Sequence, residues 1–265
     1  MEDGWRDSAA AWIANQGEAG DYGRRFVLDA PMLARVAAVP VRLALDIGCG
    51  EGRFCRMLRA RGIATIGLDP TGALLEEARR RDPQGAYLAG RAEALPLPDD
   101  ACDLVVSYLS LIDIPDIATA IAEMARVLAP GGRLLIANLN PFFTAGMPDG
   151  WVRRDGEKTH FAIDHYLEER AEWVGWRGIR IRNWHRPLSQ YMGLLLGQGL
   201  VLTHFAEPAP APGGDPHAAA RYRRVPYFHI MEWRKARRAS VPPLEGRGIA
   251  HLAAGQDCQP ARSSQ

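Results

Sequence analysis

The stretch Leu43–Phe54, LALDIGCGEGRF, constrains this chain more than any other part of it. An apolar run from Val41 to Ile47 enters Gly48-Cys49-Gly50-Glu51-Gly52, and helical spacing of Phe54, Met57 and Leu58 begins directly afterwards. Glycines are required where backbone must turn tightly and a ligand must approach without a Cβ in the way. Strand, glycine turn and helix in this order open a βαβ unit. The alternation continues downstream. Short apolar runs at Ala64–Leu68, Ala86–Ala89, Asp103–Ser107 and Arg133–Asn138 are interleaved with helical stretches at Thr71–Arg81 and Ile117–Leu128. That pattern predicts a parallel sheet flanked by helices.

The residues around the turn select among nucleotide ligands. Asp46 stands just before the glycines, and Asp69 ends the second apolar run, where an acidic side chain accepts hydrogen bonds from ribose hydroxyls. A dinucleotide site wants G-x-G-x-x-G, but position 53 is arginine. A pyrophosphate would be repelled by the Asp46 carboxylate, whereas the amino group of a cationic sulfonium ligand would be attracted. The expected ligand is S-adenosylmethionine rather than NAD.

Four segments, LDIGCGEGRF, IGLDP, AEALPLPDDACDLVVS and EMARVLAPGGRLLIAN, occur in this order between about Arg42 and Asn138. Together they resemble the class I methyltransferases of the ubiquinone-biosynthesis type. The resemblance implies a Rossmann-like α/β fold, a seven-stranded, mostly parallel sheet whose last strand is antiparallel, with a cap inserted after strand five. Two apolar runs, Leu200–Phe205 and Val225–Trp233, supply the closing strands. It further implies that Asp46, Gly48, Cys49 and Gly50 meet the methionine part of the cofactor, and that Asp69, followed by Pro70, meets the ribose. Ala92 and Glu93 fall beside the adenine, and Ser107 beside the reaction centre. In one place the chain departs from the family: Arg91 stands where a carboxylate usually accepts from the adenine amino group, and a guanidinium has no acceptor.

Methyl transfer is an in-line displacement at an already activated centre, so the protein must align the nucleophile, exclude water and remove a proton where the acceptor carries one. Groups for that task are sought in the aromatic, charged stretch from about 141 to 186. His185 and His165 are the candidate bases there, ahead of His160. Each histidine also has a bland reading, His185 simply bonding its own turn. Trp151, Trp173, Trp176 and Trp184 line a pocket or form the core of the cap. Asp113 follows strand four near the expected active site, and its bland reading is a helix cap. Near the N-terminus, Tyr22 and Arg25 are placed to close over the cofactor, Tyr22 being equally readable as a packed aromatic. Arg180 and Arg182 alternate as on one face of a strand; with Arg177 and Arg221, Arg223 and Arg224 they read as solvated faces or as an anion site.

Composition bounds the rest. The 265 residues suit one domain, expected over 1–238, with a cofactor half at about 42–138 and a disordered tail at 239–265. Lys and Arg number 32 against 31 Asp and Glu, which gives no global field for nucleic acid. Methylation of tRNA, and a module that holds the cofactor without turnover, are the alternatives to a small-molecule enzyme with an aromatic or anionic acceptor. The four cysteines form no CxxC pair and no metal-ligand spacing, so neither a disulfide framework nor a metal is expected. No apolar run is long enough to span a bilayer, and a cytoplasmic location is the default expectation.

Overall fold

The computed structural model describes residues 3–237. The expected tail at 239–265 and Cys258 lie outside the described residues. In chain order the elements are α1 (Trp5–Gln16), a π-helical turn (Arg24–Leu28), α2 (Asp29–Ala37), β1 (Leu43–Ile47), α3 (Arg53–Arg59), β2 (Ala64–Asp69), α4 (Gly72–Arg81) and β3 (Ala86–Ala89). There follow β4 (Cys102–Tyr108), α5 (Ile117–Val127), β5 (Leu128–Leu139) and the single turn α6 (Pro141–Thr144). The second half contains β6 (Trp151–Arg154), β7 (Glu157–Phe161), β8 (Arg170–Trp176), β9 (Ile179–His185), α7 (Leu188–Gly197), β10 (Leu200–Ala206), α8 (Pro216–Arg224) and β11 (Phe228–Lys235).

Seven strands form one sheet in the order β10-β11-β5-β4-β1-β2-β3. Strands β3, β2, β1, β4 and β5 are parallel, and β11 runs antiparallel between β5 and β10. The last strand is thus antiparallel as expected, and it lies one strand in from the edge. Chain direction across the sheet reverses between β1 and β4. At such a switch point the connections leave to opposite sides and open a crevice over the strand ends.

Both faces of the sheet are covered, so its central strands are apolar throughout rather than alternating. Leu45, Ile47, Val105, Leu134 and Ile136 face α5 and α7; Ala44, Leu104, Val106, Leu135 and Ala137 face α2 and α3. Burying these side chains is worth about 1.5–3 kcal/mol for each large aliphatic one.

Three segments add to the alternation read from the sequence. The first forty residues are largely helical, and α1 packs its Ala9 and Trp12 against Leu74 of α4 and Ile179 and Ile181 of β9. The stretch after β5 holds two hairpins, β6–β7 and β8–β9, each a two-stranded sheet of its own. The segment between the two closing strands contains α8, capped by the Asp215 carboxylate, which accepts from the His217 and Ala218 N–H groups. The hairpins escape pattern reading because most of their residues are exposed or half-buried, which weakens the apolar period.

Candidate active site

The turn after β1 sits at the switch point. Gly48, Gly50 and Gly52 have φ of 70°, 55° and 75°, a region L side chains rarely adopt. At Gly48 space is the tighter limit, since an added Cβ would lie 2.4 Å from the Cβ of Ser110. Ser110 is fixed in turn: its hydroxyl donates to the Ile47 carbonyl at 2.6 Å and meets the Ser107 hydroxyl at 2.7 Å. Ser107, fully buried at the end of β4, therefore supports the turn from beneath and does not line the cavity above it.

Asp69 clamps the turn from the side. Its Oδ2 accepts from the Gly50 N–H at 2.9 Å and its Oδ1 from the Thr71 N–H at 2.8 Å. The Gly48 and Cys49 N–H groups both donate to the Leu68 carbonyl, at 2.8 and 3.1 Å. Three backbone donors of the turn are thus consumed internally. A phosphate finds none of the three free, whereas carbonyl and carboxylate oxygens remain for a cation.

Above the turn lies a cavity of about 760 Å³, including its open mouth. Trp5 and Trp12 of α1 roof it, Asp69 and Pro70 form one side, Arg91, Ala92 and Glu93 another, and Tyr108 to Pro115 the third. A smaller cavity shares the Trp12, Arg24, Gly48, Gly50 and Tyr108 walls and adds Asp46, Cys49 and Glu51. Eight of the residues expected to bind cofactor, Asp46, Gly48, Cys49, Gly50, Asp69, Pro70, Ala92 and Glu93, border one or both cavities.

The electrostatics are one-sided. Burial pushes the Asp46 carboxyl up to about 7, against a hydrogen bond from the Cys55 thiol, with Glu51 and Asp69 adding repulsion. Its Oδ1 is buried without a hydrogen-bond partner among the described residues. Burial also raises Asp69, although the Thr71 and Gly50 N–H groups pull it down. Asp113 is held well above the usual carboxylate range, again by burial first. Three strained carboxyls around one cavity are what a cationic ligand would relieve.

The other expected site residues are placed elsewhere. His185 is fully buried in the cap, with Nδ1 at 2.7 Å from the Thr144 hydroxyl and Nε2 at 2.9 Å from the Tyr166 carbonyl. One ring nitrogen ties β9 to α6 and the other to the segment before β8, and burial lowers the ring's pKa. His165 is exposed, bonded to Glu168 at 2.9 Å, and His160 is exposed on β7. No histidine lines the two cavities. Tyr22 stacks on Phe26 and Tyr222, with centroids 5.0 and 5.2 Å away, outside both cavity walls. Arg25 is exposed, and its neighbour Arg24 reaches the site instead, 4.9 Å from the Trp12 ring and ion-paired with Asp21 at 2.6 Å. Trp173 and Trp176 are on the outside of the β8–β9 hairpin, Arg180 lying 4.1 Å over the Trp173 ring. The helix cap beyond Pro115 is Asp116, which accepts from Thr119, and this leaves Asp113 free of that role.

Arg53, which stands where a dinucleotide turn has glycine, has a structural task. Its guanidinium pairs with Asp29 of α2 and donates to the Ala19 carbonyl at 3.0 Å, while the Tyr108 hydroxyl donates to the same carboxylate at 2.8 Å. This buried network ties the N-terminal segment carrying Arg24 to the glycine turn. Nothing local in the sequence announced it, because the partners are 24 and 79 positions apart.

Comparison with known proteins agrees with this geometry. Residues 45–136 match the family model described as a methyltransferase domain. The chain is 38% identical over 127 residues to malonyl-[acyl-carrier protein] O-methyltransferase of Serratia marcescens, covering 48% of this chain and 50% of that protein. It is 35% identical over 117 residues to demethylmenaquinone methyltransferase of Renibacterium salmoninarum, covering 44% and 47%. The chain thus spans about half the length of the curated relatives it matches. A crystal structure of an S-adenosylmethionine dependent methyltransferase from Mesorhizobium loti superposes with TM-score 0.65 at 27% identity, covering 77% of this chain and 96% of that one. Residues 45–136 thus carry a methyltransferase domain, on a sheet of order β10-β11-β5-β4-β1-β2-β3 with a glycine turn at its switch point, and the chain shares its fold with S-adenosylmethionine dependent methyltransferases of known structure.

Proposed function

We propose that the protein transfers the methyl group of S-adenosylmethionine to an O, N or C atom of a small molecule, with aromatic or anionic acceptors as the first class to test. The observation that carries this reading is the unpartnered, buried Asp46 Oδ1 beside a cavity whose other acids are also held above their usual range. A ligand with a sulfonium and an ammonium supplies the missing positive charge. The cofactor contributes an activated methyl group; orientation, water exclusion and proton removal fall to the protein.

In this reading Asp46 and the turn at Gly48, Cys49 and Gly50 receive the amino-acid end, and Arg24 faces its carboxylate. Asp69 keeps lone pairs for the ribose hydroxyls while it holds Gly50, with Pro70 beside it. Ala92, 5% exposed, and Glu93 border the adenine. The Arg91 guanidinium pairs with Glu93 at 3.2 Å, so Arg91 steers the one carboxylate left to accept from the adenine amino group. Trp5 and Trp12, packed edge to face at 5.1 Å, exclude water from above. Ser107 acts through Ser110 on the shape of the turn.

Among the described residues no helix is long and apolar enough to cross a membrane, and no group of three His, Cys, Asp or Glu is arranged to hold a metal. Cys49, Cys55 and Cys102 are free thiols, which suits the reducing cytoplasm as the place of action.

Calorimetric titration with S-adenosylmethionine, with NAD as control, tests the reading. Saturable binding of the first and none of the second is expected, followed by methyl transfer within a panel of aromatic and anionic acceptors. Failure of S-adenosylmethionine to bind would overturn it.

A further inference from the structure

Once both candidate histidines are accounted for, the cavity still lacks an assigned proton acceptor. Its wall carries few ionisable side chains, and most are engaged. Asp69 holds the Gly50 and Thr71 N–H groups, and Glu93 is paired with Arg91. The Tyr108 hydroxyl donates to Asp29, and Asp3 Oδ1 accepts from the Trp5 N–H at 3.0 Å. Asp46 lies deeper, against Cys55 and the smaller cavity. Asp113 remains. Its Oδ1 accepts from Asn183 Nδ2 at 2.5 Å, and its Oδ2 takes no hydrogen bond from the described residues.

We propose that Asp113, oriented by Asn183, is the group that takes the proton from the methyl acceptor. This rests on the methyltransferase reading above. Asn183 is 5% exposed on β9, and the Trp184 N–H donates to the Ile112 carbonyl at 2.8 Å. The β8–β9 hairpin is therefore fastened to the loop that carries Asp113 at two adjacent points. One oxygen of the carboxyl is pinned from outside the cofactor half and the other is left to the cavity.

The charged groups facing Asp113 are Asp69 at the end of β2, Asp3 ahead of α1, and Arg24 after α1; Asn183 of β9 is neutral. Two acids against one base, added to burial, hold the carboxyl protonated more readily than an exposed one. A cation entering the cavity reverses that balance, so Asp113 becomes a base when the cofactor is loaded. In the transfer the acceptor atom bonds to the methyl carbon, and the carbon–sulfur bond breaks with its electron pair going to sulfur. The acceptor's proton passes to Asp113 Oδ2 and then to water.

Two measurements on the intact protein test this. The first needs no acceptor: calorimetry of S-adenosylmethionine binding at neutral pH in buffers of different ionisation enthalpy counts protons released. Wild type is expected to release more than Asp113→Asn, with affinities within about threefold, and S-adenosylhomocysteine, whose sulfur is neutral, to release fewer than either. Equal release from wild type and variant overturns the proposal, as does a loss of affinity above about thirtyfold, which would make Asp113 a cofactor ligand. The second uses an acceptor found in the panel. Asp113→Asn is expected to lower kcat by about 100-fold or more with KM for the cofactor unchanged. Asn183→Ala is expected to lower kcat about tenfold and to displace the acidic limb of its pH profile, a shift that a purely structural residue would not cause. An unchanged kcat in Asp113→Asn overturns the assignment. Absence of S-adenosylmethionine binding to wild type overturns the methyltransferase reading instead, so the two failures are distinct.

Discussion

The cofactor half and the cap are held together by different frameworks. In the cofactor half the polar side chains that shape the site bond within one turn or between neighbouring strands of the sheet: Asp69 to the Gly50 and Thr71 N–H groups, Ser110 to the Ser107 hydroxyl and to the Ile47 carbonyl on the adjacent strand. In the cap the corresponding bonds join remote segments: Asn183 to Asp113, His185 to Thr144, Trp151 Nε1 to the Tyr227 hydroxyl at 3.1 Å. Arg186, fully buried, pairs with Glu169 at 2.6 Å and donates to the carbonyls of Ile114 and Pro115 at 2.9 Å. The cofactor side proposed here thus rests on turns at the ends of neighbouring strands, whereas the cap side is assembled from separate segments that only the fold brings together.

On this contrast, the largest effect on folding should come from a buried long-range network that reaches into the cofactor half. Arg53→Ala leaves Asp29 buried without its cation and is expected to cost about 3–5 kcal/mol, read as a fall in thermal midpoint. Asp69→Ala removes the clamp on Gly50 along with the ribose acceptor proposed above. Its expected effect is roughly a 100-fold loss of S-adenosylmethionine affinity by calorimetry, with a smaller change in stability. The cap should answer in the opposite way. His185→Ala leaves the Tyr166 carbonyl without its donor and the Thr144 hydroxyl with only the Pro141 carbonyl, about 1–3 kcal/mol in stability, with cofactor affinity unchanged. A large loss of affinity in this variant would merge the two regions and break the comparison.

A pH titration sharpens the account of the cofactor side. Asp46 is raised in the folded protein, so its contribution to apo stability is present in acid and is lost as pH rises through about 7. A cationic ligand prefers the carboxylate, so affinity for S-adenosylmethionine should climb, by up to about tenfold per pH unit, as pH approaches 7 and flatten above it. Asp46→Asn should flatten the profile. The smallest effect belongs to His165→Ala: the ring is exposed and bonded only to its neighbours, so thermal midpoint and binding should both stay at wild-type values.

Legibility followed the same division. The strands and helices from Leu43 to Leu139 were readable because both faces of the sheet are covered and every turn carries its own glycine or proline. The readable stretch held the eight expected cofactor residues that border the cavities. The misplacements arose where one residue of offset decides. In the segment GDYGRRF the π-helical turn sends Arg24 to the cavity and leaves Arg25 exposed, and Tyr22 packs on Tyr222 of α8. His185 combined buried surroundings with a reactive side chain, which suggested a base, yet its two ring nitrogens were already spoken for by groups 41 and 19 positions away.

By itself the sequence determined the sheet, its switch point and the chemistry of the ligand that settles there. Glycine, Asp46 and Asp69 act through backbone geometry and charge at the ends of two adjacent strands, Gly50 standing 19 positions before Asp69. Only the tertiary structure decided which side chains face the reacting end. Asp113 stands 70 positions from Asn183. Hydrogen-bond partners at such distance are chosen by how the hairpin docks, and that depends on the packing of α1, α4 and β9 together rather than on any local pattern.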